Sequence, residues 1–276
     1  MRVGVVGLGL MGGSLALSLK KLDFIQSVIG SDHNIEHQKE AIALNLVDEI
    51  LDFEIIKTCD IIILAIPVNG VISSLKQLTD IPKTTIIIDL GSTKEIIVNS
   101  VPKEIRKNFV AAHPMTGTEH SGPTSAQENL YHDKVVVLCD LEHSGEYQRD
   151  IAVKIFNEIG MNLHYMKAHA HDRHAAFISH LPHAISFSLA NIVLDQEDKD
   201  NILTLAAGGF RSMSRLAKSS PYMWEDVFKQ NSENLLESIE LFEKELTKMK
   251  VLIKEGNFDE VHQQMKDANE LQKIFT

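Results

Sequence analysis

A glycine-rich turn near the N-terminus constrains the fold more than any other segment of this chain. The turn lies between a valine-rich run at residues 2–6 and a helical pattern that begins at Ser14. In a strand–turn–helix unit, the first glycine permits a tight turn, the second admits a pyrophosphate, and the third lets helix and strand pack closely. The free N–H groups at the start of the helix also favour phosphates. We therefore predict a dinucleotide site formed by Gly7, Leu8, Gly9, Leu10, Met11 and Gly12.

The second predicted strand ends in an acidic residue at the position where such units bind a ribose. Asp32 follows Gly12 by twenty residues. A carboxylate there accepts hydrogen bonds from the ribose hydroxyls and repels a 2′-phosphate, which favours NAD over NADP. His33 beside it could tolerate the phosphate when protonated. We also predict that Ala65 and Pro67, at the end of the third strand, border the coenzyme.

Short apolar runs and helical patterns alternate through the first part of the chain. The runs are continuously apolar, which is typical of strands buried on both faces of a parallel sheet. They lie at residues 2–6, 28–31, 60–65, 85–89, 109–112, 135–138 and 162–165. Because strand–helix alternation implies right-handed βαβ units, we predict an N-terminal NAD-binding domain over residues 1–167. Its fold class is α/β, a Rossmann-type doubly wound and mostly parallel sheet.

No convincing strand is predicted after residue 168. Apolar residues there recur at helical spacing, and Pro182 is expected to kink the first helix. The predicted helices lie within residues 172–195, 198–207, 221–254 and 258–275. Such apolar faces must be buried somewhere. We therefore predict that residues 168–276 form an all-helical domain for substrate binding and dimerisation.

The charge balance makes polyanions poor partners. The chain carries 27 Lys and Arg against 38 Asp and Glu, a net charge of −11, whereas nucleic-acid binders show a basic face. We therefore expect no nucleic-acid or membrane partner. The sequence also predicts neither a membrane span, for which about 18 uninterrupted apolar residues are needed, nor a signal peptide. We expect a cytoplasmic protein in which Cys59 and Cys139 are buried thiols.

Candidate chemistry in the first domain lies at the ends of two strands. Loops at the carboxyl ends of parallel strands face the ligand crevice. Ser92 follows the fourth run, and His113 follows the fifth, before a proline and a glycine-containing loop. A histidine at this place is a candidate acid or base. Ser92 has a simpler alternative role as a helix N-cap.

Histidines and arginines are the candidates in the helical half. His169, His171 and His174 lack an H-E-x-x-H spacing and a cysteine partner. We therefore predict no metal site, and a polar surface for His169 and His171. His183 is a candidate for substrate contact.

Arg211 and Arg215 follow a Gly-Gly pair and are four residues apart. In a helix they would share one face and could clamp a carboxylate. The alternative is two solvated arginines, one of them paired with Glu119.

These motifs occur in an order that resembles the prephenate dehydrogenase family, and the resemblance spans nearly the whole chain. Beside the glycine turn, the motifs are Gly91–Lys94, His113–Gly122, Ser179–His183 and Gly208–Arg215, followed by Trp224. The resemblance implies an NAD-dependent oxidoreductase of tyrosine biosynthesis, which converts prephenate to 4-hydroxyphenylpyruvate. It also implies a Rossmann domain joined to a helical domain through which two copies form a homodimer.

The resemblance implies roles for individual residues as well. His113 would accept the proton of the substrate hydroxyl, with Ser92 as its support. Arg215 would hold a substrate carboxylate and His183 the pyruvyl end. Glu119 would lie near Arg215 as a gate or orienting partner. Further substrate contacts are predicted at Gly117, Thr118 and Arg211, the last at a position that can hold lysine in relatives.

Three other functions are compatible with some of these residues. An arogenate dehydrogenase would perform the same chemistry on a substrate with an amino group in place of the keto oxygen. A β-hydroxyacid dehydrogenase relies on a helical-domain lysine, and no such lysine stands near His180 or His183. A non-catalytic NAD-sensing dimer would have no need for His113 and Arg215 together.

Overall fold

The computed structural model describes residues 1–274, and strands and helices alternate in its first part as predicted. The strands are β1 (Arg2–Val6), β2 (Ser27–Ser31), β3 (Glu49–Ile50), β4 (Ile61–Leu64), β5 (Ile86–Asp89), β6 (Phe109–Pro114), β7 (Val135–Cys139) and β8 (Asn162–Met166). The helices between them are α1 (Leu10–Leu19), α2 (Ile35–Ala43), α3 (Phe53–Ile56), α4 (Val68–Lys76), α5 (Glu95–Asn99) and α6 (Glu146–Glu158). The sequence pattern missed β3, α3 and α5, because elements this short show no periodicity.

The eight strands form one sheet in the order β3-β2-β1-β4-β5-β6-β7-β8. All neighbouring strands run parallel except β6 and β7. The strand order reverses between β1 and β4, and ligands of open α/β sheets bind beyond the carboxyl ends of the strands at such a point. The predicted Rossmann-type, mostly parallel fold is confirmed.

Strand β4 shows why the strand sequences are continuously apolar. Ile61 and Ile63 belong to one hydrophobic cluster, whereas Ile62 and Leu64 belong to a second. All four side chains are fully buried. Successive strand residues point to opposite faces of the sheet, so both faces must be covered and both must be apolar.

The two cysteines are free and buried, as predicted. Burial raises the pKa of the Cys59 thiol, and it raises that of Cys139 to about 12. Both side chains therefore act as small apolar groups of the core rather than as thiolates.

The described chain after β8 is helical. Its helices are α7 (Ala168–Ala175), α8 (Leu181–Leu194), α9 (Lys199–Thr204), α10 (Gly208–Met213), α11 (Pro221–Gln230), α12 (Ser232–Glu255) and α13 (Phe258–Ala268). A π-helical turn at Ala176–His180 lies just before Pro182, and the kink expected at Pro182 itself stays a prediction. Turns of this kind are frequent at functional sites.

The long helix predicted over residues 221–254 is in fact two helices, with Asn231 between them. The Asn231 side chain is buried, and its Nδ2 donates to the Asp172 carbonyl at 2.7 Å. This tertiary contact accompanies a non-helical backbone at Asn231, with φ −117° and ψ 32°. The last predicted helix, 258–275, corresponds to α13 and a following 3-10 turn, and its residue 275 lies outside the described part of the chain.

The chain divides into two compact units, residues 1–231 and residues from Ser232 onward. The first unit contains the sheet and helices α1–α11. The second contains α12 and α13, which contact each other, and α12 exposes Leu236, Leu241, Phe242 and Leu246. The boundary at residues 167 and 168 between a coenzyme domain and a helical domain stays a prediction.

One helical run in the described chain, Ala168–Leu194, is long and apolar enough to cross a membrane, with a mean hydropathy of 1.4. The expectation that no such segment exists was therefore wrong by length and composition. The run nevertheless carries polar side chains in its first half, and His171, Asp172 and His180 are buried there. The Asp172 carboxylate accepts backbone N–H groups at the start of α5. We interpret this run as the first helix of the helical region, docked on the sheet domain.

Candidate active site

The glycine turn has the backbone geometry that a bound dinucleotide requires. Gly7 has a φ of +90°, and a Cβ there would lie 2.4 Å from the Ala65 carbonyl oxygen. A Cβ on Gly12 would lie 1.8 Å from the Gly7 carbonyl oxygen. By contrast, a Cβ on Gly9 would have only the Gly122 nitrogen within 4 Å, at 3.9 Å. Packing therefore requires two of the glycines, while Gly9 leaves space for a phosphate at the start of α1.

The Asp32 carboxylate lies beside this turn, just after β2. One oxygen accepts the Leu8 N–H at 2.8 Å and the other accepts the Asn34 N–H at 2.9 Å. The His33 and His37 rings approach the same carboxylate to 3.4 Å and 3.5 Å. These contacts hold Asp32 at the place where a ribose is expected.

The remaining predicted coenzyme residues lie at the same edge of the sheet. Leu10 is buried and begins α1, and the Met11 carbonyl accepts a hydrogen bond from the Tyr131 hydroxyl at 2.7 Å. Ala65 lies directly behind Gly7, and Pro67 is the exposed N-cap residue of α4. The residues present therefore fit a dinucleotide, and their direct contacts to it stay predictions.

A chain of three polar side chains ends at His113, the candidate base. His113 Nδ1 lies 2.7 Å from His171 Nε2, and His171 Nδ1 lies 2.7 Å from Asp172 Oδ1. Asp172 also accepts the N–H groups of Lys94 and Glu95, at 2.7 Å and 2.9 Å. An ionised Asp172 accepts the His171 Nδ1 proton, so His171 Nε2 accepts from His113 Nδ1. The lone pair of His113 is then left at Nε2.

The hydrogen bonds that join His113, His171 and Asp172 contradict two predictions from the sequence. The polar surface predicted for His171 is wrong, because α7 packs against α5 and β7 and leaves His171 only 2% exposed. His169 is exposed, as predicted. The N-cap alternative for Ser92 is also wrong, because Asp172 caps the start of α5. Ser92 is half-buried, and its support of His113 stays a prediction.

A buried ion pair lies behind the strand that carries His113. The Lys94 ammonium pairs with Asp89, and both side chains are fully buried. Lys94 also donates to the carbonyl of the residue before His113, at 2.8 Å. Burial lowers the pKa of His113 well below its ordinary range, and the charges of neighbouring histidines and Lys94 act in the same direction. His113 is therefore neutral at neutral pH.

A second cluster surrounds Trp224 in α11. The His183 ring stacks on the indole, with centroids 3.5 Å apart and planes 22° apart. His183 Nδ1 donates to the Ser179 carbonyl at 2.9 Å, which leaves its Nε2 as an acceptor. Burial lowers the pKa of His183, and the nearby charge of Arg215 adds to the shift. Within residues 1–274, Trp224 Nε1 and His180 Nε2 are buried and have no hydrogen-bond partner. Buried polar atoms of this kind can be donors to a bound ligand.

Arg215 lies beside Glu119, with Nη1 and Oε2 3.2 Å apart, as the sequence resemblance implies. The shared helical face predicted for Arg211 and Arg215 is wrong, because α10 ends at Met213 and Arg215 begins a 3-10 turn. Arg211 instead donates to the Ala206 carbonyl at 3.1 Å.

Gly117 and Thr118 lie in the exposed loop just before Glu119. Their substrate contacts, and that of Arg211, stay predictions. Among residues 1–274, no group of three or more His, Cys, Asp or Glu side chains is placed to hold a metal ion.

The sequence interpretation gave no role to three buried residues of the site, Asp89, Lys94 and Asp172. It also missed the contact of Trp224 with His183. The adjacent pair His171-Asp172 was a usable signal, because a carboxylate beside an imidazole commonly orients it. The pairing of Lys94 with Asp89 was also predictable, since Lys94 follows Asp89 by five positions at the end of a strand. The contact of Trp224 with His183 depends on tertiary packing and leaves no local pattern.

Two family models together match most of this chain. The nucleotide-binding domain of prephenate dehydrogenase matches residues 15–165, and the dimerization domain of prephenate dehydrogenase matches residues 167–267. The prephenate dehydrogenase of Bacillus subtilis is 31% identical over 280 residues, which cover 96% of this chain and 74% of that protein. The cyclohexadienyl dehydrogenase of Zymomonas mobilis is 29% identical over 272 residues, covering 96% and 93%.

Solved structures with the same architecture agree with these matches. Prephenate dehydrogenase from Aquifex aeolicus superposes with a TM-score of 0.90 at 31% identity, over 99% of each chain. A complex of the A. aeolicus enzyme with hydroxyphenyl propionate and NAD⁺ gives a TM-score of 0.93, over 100% of this chain and 98% of that one. Synechocystis arogenate dehydrogenase gives 0.82 at 28% identity, over 100% of both chains.

Proposed function

Because the chain belongs to the prephenate dehydrogenase family and is an NAD-dependent oxidoreductase, we propose that it converts prephenate to 4-hydroxyphenylpyruvate by oxidative decarboxylation. The observation that carries this proposal is the chain of His113, His171 and Asp172, which leaves a neutral imidazole nitrogen at the carboxyl end of β6. A base at that edge of the sheet can reach a substrate hydroxyl beside the coenzyme.

The proposed reaction removes a hydride and a carboxylate from the cyclohexadiene ring. Bound NAD supplies the acceptor for the C4 hydride. His113 takes the C4 hydroxyl proton at Nε2 while the carbonyl develops. The C1 carboxylate leaves as CO₂, its bonding electrons enter the ring, and the C4 oxygen regains the proton. Aromatisation of the ring makes the step effectively irreversible.

The hydrogen-bond chain behind His113 can receive the positive charge. When His113 gains a proton at Nε2, its Nδ1 proton can move to His171 Nε2. The resulting imidazolium lies beside the ionised Asp172, which stabilises it as buried carboxylates do in other acid–base triads. The positive charge of Lys94 disfavours a protonated His113. His113 therefore returns to its neutral form when the C4 oxygen regains the proton.

We propose that Arg215 binds a substrate carboxylate and that His183 contacts the pyruvyl end, with Glu119 orienting Arg215. The buried N–H of Trp224 supports a pocket for polar substrate atoms here, because it has no partner among the described residues. His180 adds a second donor, since burial lowers its pKa to about 4 and its Nδ1 accepts from an amide. Ser92, Gly117, Thr118 and Arg211 complete the proposed substrate site.

The coenzyme site and the assembly follow the same proposal. NAD would be held by the residues of the glycine turn and by Asp32, Ala65 and Pro67. The helical region would carry the substrate contacts and the contact of a homodimer, in keeping with the dimerization-domain match over residues 167–267. We place the enzyme in the cytoplasm, and we propose no metal, nucleic-acid or membrane partner.

Steady-state NADH formation at 340 nm, with prephenate or arogenate as substrate, tests the proposed reaction. We expect turnover with prephenate and NAD, and a lower kcat/KM when NADP replaces NAD, because Asp32 repels a 2′-phosphate. Turnover with arogenate alone would keep the chemistry and change the substrate. No turnover with either substrate, in protein that still binds NAD, would contradict the proposal.

Replacing Arg215 with alanine should raise the KM for prephenate about ten- to a hundred-fold with a smaller effect on kcat. The variant loses a charge-assisted hydrogen bond of about 1.5–3 kcal/mol to a substrate carboxylate. The matched control is Lys218→Ala, which removes an exposed cation from the same 3-10 turn and should leave KM unchanged. A loss confined to kcat would instead assign Arg215 to transition-state stabilisation.

A further inference from the structure

A polar cluster outside the proposed chemistry joins three segments that are distant in sequence. Asp226 Oδ1 in α11 accepts the Asn69 Nδ2 proton at 2.5 Å and the Gln230 Nε2 proton at 2.9 Å. Gln230 Oε1 in turn accepts the Thr93 hydroxyl at 3.0 Å. We refer to these four residues, Asn69, Thr93, Asp226 and Gln230, as the α11 latch.

The latch connects the coenzyme edge of the sheet to α11. Asn69 lies in the first turn of α4, two residues after Pro67 at the proposed coenzyme site. Thr93 lies in the loop after β5, next to Ser92. Both loops follow the carboxyl ends of central strands, where the coenzyme binds. The Asp226 carboxylate therefore contacts the start of α4 directly, through Asn69. It contacts the loop after β5 indirectly, through Gln230 and Thr93. Both segments border the proposed coenzyme site.

The same helix forms a wall of the proposed substrate pocket. Asp226 and Gln230 are four residues apart and share one face of α11. Trp224, two residues before Asp226, is buried and stacks on His183. A shift of α11 relative to the coenzyme loops would therefore carry the indole and the substrate with it. Hydride transfer depends steeply on such placement, because a misplacement of 1 Å can cost about a hundred-fold in rate.

We propose that Asp226 is a positioning residue. It fixes the position of α11, and with it Trp224, relative to the two loops that carry Asn69 and Thr93, and so aligns the substrate with the coenzyme. Its effect on turnover rests on the proposed function, whereas its effect on Trp224 needs only NAD. Asp226 would have no contact with the reacting atoms. It acts through the two amide side chains that it holds.

The single tryptophan of the chain makes the coupling measurable. Titration of the protein with NAD alone should change the emission of Trp224, because coenzyme binding at the loops is transmitted through the latch. In Asp226→Ala, we expect the amplitude of this change to fall to about half or less, while the Kd for NAD changes less than about three-fold. With prephenate, kcat should fall about ten-fold or more and the KM for NAD should stay near its wild-type value.

Two further variants separate positioning from folding. Asp226→Asn keeps an oxygen acceptor of the same shape, so it should restore most of the emission change and of kcat. Glu225→Ala removes an exposed acid from the neighbouring position in α11, and it should behave as wild type. Asn69→Ala breaks the same contact from the coenzyme side and should give the results expected for Asp226→Ala. It tests the proposal even if Asp226→Ala folds poorly.

Three results would overturn the proposal. The first is a wild-type protein whose Trp224 emission does not respond to saturating NAD. The second is an Asn69→Ala variant with unchanged emission response and unchanged kcat. The third is a parallel loss of NAD affinity and thermal stability in the variants, which indicates a merely structural contact. Failure of prephenate turnover in the wild type would leave the emission experiment intact, and would count only against the proposed reaction.

Discussion

Replacing His113 with asparagine should lower kcat for prephenate by about 10²–10⁴-fold, the usual contribution of a general base. The KM should change little, because the lost interaction strengthens only as the hydroxyl proton departs. Asparagine keeps a side chain of similar size and polarity at the end of β6, so NAD binding should survive. Initial rates of NADH formation, together with the Kd for NAD, measure both effects.

The matched control for this variant is His169→Asn, because His169 is an exposed histidine in α7 outside the hydrogen-bond chain. It should keep the wild-type kcat. Unchanged turnover in His113→Asn would end the assignment of His113 as the base. A proportional loss in both variants would point to general destabilisation instead.

Replacing Lys94 with methionine should lower the free energy of unfolding by about 3–5 kcal/mol, because it leaves the fully buried Asp89 carboxylate without its counter-charge. Methionine fills a similar volume, so packing loss contributes less than the uncompensated charge. Chemical denaturation followed by circular dichroism at pH 7 measures the change. Burial raises the pKa of Asp89 even with Lys94 present, and the variant removes the charge that opposes this shift.

The double variant Lys94→Met/Asp89→Asn separates charge from packing. It removes both buried charges and should recover much of the lost stability, since replacing a buried ion pair with neutral groups is often close to neutral. If the single variant were as stable as wild type, the ion pair would have no structural role. If the double variant were no better than the single, the loss would come from packing.

Much of the sheet domain was predictable because its signals are local. Gly7 and Gly12 are required by contacts with adjacent backbone, so the turn carries its own constraint in the sequence. The strands are buried on both faces, and each therefore shows a continuous apolar run. The positions of Asp32 and His113 were predictable because Asp32 directly follows β2 and His113 lies near the carboxyl end of β6. Parallel strands bring their carboxyl ends together at one edge of the sheet.

The missed features depend on contacts between distant segments. His171 was predicted on the surface, yet it lies 2.7 Å from His113, a residue 58 positions earlier. The pattern of α7 alone does not show which face docks on α5. The break at Asn231 has the same origin, because its amide is held by the carbonyl of Asp172, 59 positions away. Tertiary contacts of this kind override helix periodicity.

The pH dependence of kcat/KM for prephenate tests the central claim that a neutral, half-buried His113 is the base. A base must be unprotonated to act. The lowered pKa of His113 keeps its ring neutral at pH values below 6.5, the usual pKa of histidine. We predict that kcat/KM stays level as pH falls past 6.5 and declines only at more acid pH. His113→Asn should lack that decline. An acid limb with its midpoint at or above 6.5 in the wild type would contradict the account.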